Sequence, residues 1–262
     1  MLDRNHVRVV GAGTQTVLFC NGFGCSQNIW RYVSDPLSSH YRVVLFDHVG
    51  SGESERSAYD PQKYSTLAGY AQDLIEICQA LDLRNVVVVA HSVGATIAML
   101  AAIQAPQYFA KAVMIGSSPC YINHPGYYGG ARREDMIQLL DLMDVDYDSW
   151  ANMFAGLLIG SGRPASLGEE LAGYFCNTDS TIAKRFARIA FLADNRADVP
   201  QLQLPTLLLQ CADDAVVPRE VGDYLAAHLP HATLTNLQAT GHCPHLSAPL
   251  EILSAIEPFM AQ

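Results

Sequence analysis

The chain reads as an α/β fold. Short β-branched runs alternate with longer segments of helical period, and the central runs are apolar at nearly every position, as parallel strands covered on both faces are. A third observation is the pentapeptide Ala90-His91-Ser92-Val93-Gly94, which follows the run Val86-Val87-Val88-Val89 and precedes a helix-like stretch at 95–102. A small-x-Ser-x-Gly sequence at a strand-to-helix junction forces a sharp turn that presents the serine hydroxyl. The 262 residues are half hydrophobic and 16% charged, which suits one globular domain able to bury roughly 70 to 75% of its unfolded surface.

In chain order, strands are expected at 6–10, 16–20, 42–46, 86–90, 112–116, 206–211 and 232–237. Between the third and fourth, Tyr70, Ala71, Leu74, Ile75, Cys78 and Leu81 recur at helical spacing within 66–83, and Pro249–Met260 reads as a closing helix. Residues 118–199 break the rhythm. They show no convincing strand, only helical patterns separated by Gly, Pro and Asp, and are read as a helical lid inserted between core segments 1–117 and 200–262. Its apolar stripes are Met136, Leu139, Leu140 and Met143; Trp150, Phe154, Leu157 and Leu158; Leu171, Tyr174 and Phe175; Ile182, Phe186, Ile189 and Ala193. Core packing accounts for most such faces. Phe191 falls on the opposite side of its helix, which leaves it exposed, packed on a second neighbour, or lining a cavity.

The net charge of -10, with 16 Lys and Arg against 26 Asp and Glu, argues against a phosphate-backbone ligand. The opening Met1-Leu2-Asp3-Arg4-Asn5-His6 lacks the apolar stretch of a signal peptide, and no run approaches the roughly 20 apolar residues that span a bilayer. A cytoplasmic protein is expected, with no membrane partner. Seven cysteines without a C-x-x-C spacing read as buried free thiols. No second ligand cluster joins His242-Cys243-Pro244-His245, so no metal is assigned to it.

Serine needs a base to remove its proton and an acid to orient that base. Asp213 and Asp214 lie just beyond the 206–211 run, and His242 lies beyond the last one, so both reach the carboxyl rim of an open sheet, where ligand sites form. The order Ser, Asp, His is that of a known triad arrangement. One of the two aspartates also suits capping of the helix expected near Pro218. His245 is a second candidate base, but the combined pattern favours His242, and His91 is read as a packing residue. For an oxyanion, the amide of Val93 follows the nucleophile, and the turn Asn21-Gly22-Phe23-Gly24 offers the amide of Phe23.

These stretches, with Arg4-Asn5-His6-Val7, Phe46-Asp47-His48-Val49-Gly50-Ser51-Gly52, Ser118-Pro119-Cys120-Tyr121 and Gln210-Cys211-Ala212-Asp213-Asp214, resemble the α/β-hydrolases along the whole chain. They are most similar to the RsbQ group of bacterial stress-response regulators, relatives of the plant strigolactone and karrikin receptors. The resemblance implies a triad of Ser92, Asp214 and His242, with oxyanion donors at Phe23 and Val93. It implies a four-helix cap over a deep hydrophobic pocket lined by Phe23, Tyr121, Trp150, Phe154 and Phe191, and no cofactor. The chain departs from general hydrolase patterns at Ala90, in place of the first Gly of the pentapeptide, and at Asn21, where many hydrolases carry His. The activity expected is hydrolysis of a small hydrophobic ester or lactone through an acyl-serine. The alternative is a ligand sensor that acts on a PAS-domain phosphatase partner.

Overall fold

The computed structural model describes residues 1–160 and 162–262. Seven strands form one sheet: β1 (Arg8–Val10), β2 (Thr16–Cys20), β3 (Arg42–Leu45), β4 (Val86–His91), β5 (Phe109–Ile115), β6 (Thr206–Gln210) and β7 (Ala232–Asn236). Their spatial order is β1-β3-β2-β4-β5-β6-β7, with β1 antiparallel to β3 and every other pair parallel. Every residue of β2, β4 and β6 is buried, which explains why their central positions are apolar, with polar residues only at the strand ends. Several strand boundaries move from the sequence reading, the ends of β3 to β7 by one residue each, and the fifth strand starts at Phe109, three residues earlier than expected. The first strand starts at Arg8 because His6 sits at φ 44°, outside extended geometry. The third ends at Leu45, one residue early.

Helices α1 (Arg31–Leu37), α2 (Leu67–Ala80) and α3 (Val93–Gln104) cover the first half of the sheet. Helix α3 is buried along nearly its whole length, and α2 packs beside it. Four helices then follow without a sheet strand: α4 (Arg133–Val145), α5 (Tyr147–Ile159), α6 (Ala165–Cys176) and α7 (Ser180–Leu192). Asp146 caps α5 by accepting from the Ser149 amide, and Asp179 caps α7 by accepting from Thr181 and Ile182. The chain returns through β6, α8 (Arg219–His228), β7, α9 (Pro244–Ser247) and α10 (Pro249–Met260).

The strand order reverses between β2 and β4, which lie side by side although β3 separates them in sequence. Such a switch point opens a crevice at the carboxyl ends of the strands. The turn after β2 and the Ser92 turn after β4 both enter it.

Candidate active site

Ser92 follows the last residue of β4 at φ 53° and ψ -130°, a conformation that costs an L-residue about 1 to 3 kcal/mol. Neighbours hold it there. Its amide donates to the Ile115 carbonyl of β5 at 2.9 Å, and its carbonyl accepts from Ala95 at 2.9 Å as α3 begins. The glycine at 94 is required by space, since a Cβ there would collide with the Asn21 carbonyl. Ala90, by contrast, is an ordinary buried strand residue paired to Cys20 and Met114.

The structure brings Ser92, His242 and Asp214 into one hydrogen-bonded chain. Ser92 Oγ lies 2.8 Å from His242 Nε2, and His242 Nδ1 lies 2.8 Å from Asp214 Oδ2. Asp214 Oδ1 accepts from the amides of Val216 and Val217 at 2.9 and 3.0 Å. Burial alone pushes the Asp214 carboxyl upward, but the His242 ring and these hydrogen bonds outweigh it and hold the pKa below the ordinary value. Asp213 is exposed and uses its backbone carbonyl to accept from Gly241 at 2.7 Å. Neither aspartate caps α8, whose N-terminus, at Pro218, receives no side-chain cap hydrogen bond from the described residues. Neither ring nitrogen of His245 has a hydrogen-bond partner among the described residues; the ring packs tilted against Trp30 with centroids 4.4 Å apart, and burial lowers its pKa to about 3.

The amides of Phe23 and Val93 have no protein acceptor among the described residues; Phe23 lines the same cavity as Ser92, and Val93 follows the serine at the start of α3. Asn21 fixes the Phe23 turn. Its Nδ2 donates to the Phe46 carbonyl at 3.0 Å, its Oδ1 accepts from Trp30 Nε1 at 2.7 Å, and its carbonyl lies 3.0 Å from His48 Nε2. The sequence reading left this anchoring role unassigned, because Phe46, Trp30 and His48 converge on Asn21 only in the fold.

Phe23, Phe154 and Phe191 line the space above Ser92 together with Cys25, Leu158 and Val216. Phe191 is buried against Phe23 at 5.7 Å, Tyr121 at 5.2 Å and Phe154 at 5.8 Å between centroids. Tyr121 reaches Ser92 by its hydroxyl, 3.3 Å from Ser92 Oγ, and burial keeps it a phenol by raising its pKa. Trp150 stands one layer back, stacked on Phe154 at 4.7 Å. The expected deep pocket is closed in this structure. The cavity at Ser92 measures about 10 Å³, room for about one water, because the rings of Phe175 and Phe186 also close on Phe23 at 5.9 and 5.7 Å. A wider hollow of about 500 Å³ lies at the cap seam among Arg8, Gln27, Glu53 and Arg56, without contact with Ser92.

Six cysteines are buried, while Cys176 is exposed at the end of α6, a departure from the uniform expectation. Cys120, His124 and Asp194 place one ligand atom each within 4.8 Å of one another. Arg196 holds Asp194 by two side-chain hydrogen bonds at 2.6 and 2.8 Å, and the charge of Arg133 also bears on Cys120, so fixed cations disfavour a dication there. No helix among the described residues is long and apolar enough to cross a membrane.

Comparison with known proteins agrees with this architecture. A family model for the alpha/beta hydrolase fold matches residues 15–249. A karrikin insensitive 2 receptor from Petunia hybrida is 35% identical, the match covering 94% of this chain and 92% of the receptor. A strigolactone esterase from Arabidopsis thaliana is 34% identical over 96% of this chain and 94% of its own. The solved structure of a hydrolase from Oleispira antarctica superposes with a TM-score of 0.97 at 39% identity, covering 100% of this chain and 96% of that one. With its parallel sheet, its serine at the strand-to-helix turn and these relatives, the chain belongs to the alpha/beta hydrolase family.

Proposed function

We propose that the protein is a serine hydrolase of small, uncharged esters or lactones. The unbroken Ser92-His242-Asp214 chain, with both links at 2.8 Å beneath an apolar cap, carries this reading. Ser92 Oγ attacks the substrate carbonyl carbon while His242 Nε2 takes its proton, and the amides of Phe23 and Val93 receive the developing oxyanion. The tetrahedral adduct collapses as the leaving oxygen takes the proton from His242, which leaves an acyl-Ser92. Water, deprotonated by His242, attacks that ester and releases the acid as the proton returns to Ser92. Asp214 holds the imidazole in the required tautomer and stabilises its charged form. The phenylalanines around Ser92 select neutral ligands, since an unpaired carboxylate or ammonium is costly to bury among them.

A second reading has the same site acting as a sensor, as in the RsbQ group, with a PAS-domain phosphatase as partner in the cytoplasm. The receptor names among the relatives and the closed cap support it, because a cap that must move to admit a ligand can report occupancy. Intact-mass spectrometry during incubation with a panel of butenolides and short acyl esters separates the two. Rapid multiple turnover with a transient acyl adduct supports the metabolic hydrolase, and near-single turnover with a persistent adduct supports the sensor. Ser92→Ala is expected to fold, to lose esterase activity and to resist a serine-reactive phosphonate. Hydrolysis by Ser92→Ala at the rate of the unmodified protein would refute the mechanism.

A further inference from the structure

His91 precedes the nucleophile, yet its side chain turns away from the serine toward the loop that carries the base. Its Nε2 lies 2.8 Å from the carbonyl oxygen of His242. A carbonyl only accepts, so Nε2 carries the proton and Nδ1 is left bare. Nδ1 has no partner and is enclosed by the Gly22 turn, where a Cβ would sit 2.6 Å away. The other side of the His242 backbone is held too: its amide donates to the Leu158 carbonyl in the last turn of α5 at 2.6 Å. With both its amide and its carbonyl tied, the backbone at 242 has little freedom to swing the imidazole.

The surroundings of His91 suit a neutral donor. Trp30, His245, His91 and His242 form a column of rings, with centroid separations of 4.4, 4.4 and 4.7 Å. Burial, followed by the neighbouring rings of His245 and His242, drives the His91 pKa well below that of a free histidine. When His242 takes the serine proton, no second imidazolium stands behind it to repel the charge.

Resting on the serine-hydrolase reading, we propose that His91 is a positioning residue. Its Nε2–H clamps the His242 carbonyl and so sets the aim of the base at Ser92 Oγ, a role that packing at position 91 alone would not provide. Small errors in the placement of a reacting group cost up to about a hundredfold in rate. His91→Phe keeps a ring and removes the donor, whereas His91→Gln keeps a donor of similar reach. With p-nitrophenyl acetate as probe, His91→Phe should lower kcat roughly tenfold to a hundredfold, with KM changed less than about twofold. His91→Gln should recover most of that loss.

A kcat for His91→Phe within about twofold of the unmodified protein overturns the proposal, as does a His91→Gln no better than His91→Phe. Nitrogen-15 NMR of the unmodified protein supplies a check that no folding defect can obscure. It should show His91 protonated at Nε2 and bare at Nδ1, and the opposite tautomer excludes the clamp. Ser92→Ala, assayed alongside, separates the two hypotheses. Activity that survives in Ser92→Ala refutes the serine mechanism itself, whereas its loss beside a fully active His91→Phe refutes only the clamp.

Discussion

Asp214 meets two demands with its two carboxylate oxygens: one faces His242 Nδ1, and the other gathers the amides of Val216 and Val217 into a tight turn. The helix capping expected of one aspartate does not occur; Asp214 instead closes the turn ahead of α8 with the oxygen that does not face His242. Asp214→Asn keeps the shape but presents an amide that supports the wrong imidazole tautomer. Its kcat is expected to fall about 10⁴-fold with the fold intact, as steady-state kinetics and circular dichroism would show. The convergence of Ser92, Asp214 and His242 was legible in the sequence because each follows a strand that ends at the same rim. The His91 hydrogen bond was not legible, because it joins residues 151 positions apart and depends on which way one ring turns.

At the scale of elements, the cap is fastened to the core by Arg31, which donates to both carboxylate oxygens of Glu170 at 2.6 and 2.8 Å, and by Arg56, which donates to the Asn177 carbonyl at 2.9 Å. Its inner face is a cluster of aromatic rings with almost no free volume. Phe154→Ala opens that volume directly above Ser92. The variant should lose about 3 to 5 kcal/mol of stability while gaining activity on esters with bulkier acyl groups relative to acetate. Chemical denaturation and a chain-length series of p-nitrophenyl esters measure the two effects, and equal losses on every ester would contradict the lining role. The apolar stripes of α4 to α7 follow from helical spacing. How closely their rings interlock does not, since centroid distances such as the 5.7 Å between Phe23 and Phe186 arise from packing between separate elements.

For the whole molecule, burial keeps three histidines from accepting protons: His48 and His91 are lowered, and His245 falls to about 3. Unfolding exposes them to water, where they bind protons below about pH 6.5. Their stabilising contribution is therefore complete above that pH and lost as the pH falls toward the native values, at up to about 1.4 kcal/mol per pH unit for each histidine. Denaturant midpoints measured between pH 8 and 4.5 should decline once the pH drops below about 6.5, and a His245→Phe variant should decline less steeply. The sheet was legible from its apolar runs and His91 was read as a packing residue, while the burial of His48 and His245 as neutral core groups was not. A histidine in sequence looks alike whether it serves as base, clamp or packing. The bond from the His242 amide to the Leu158 carbonyl makes the base loop an occupant of the C-terminal turn of α5. That amide hydrogen can trade with solvent deuterium only when the α5 turn lifts, so its exchange rate is a built-in gauge of how often the cap opens. A covalent or tightly bound ligand that holds the cap shut should slow that exchange.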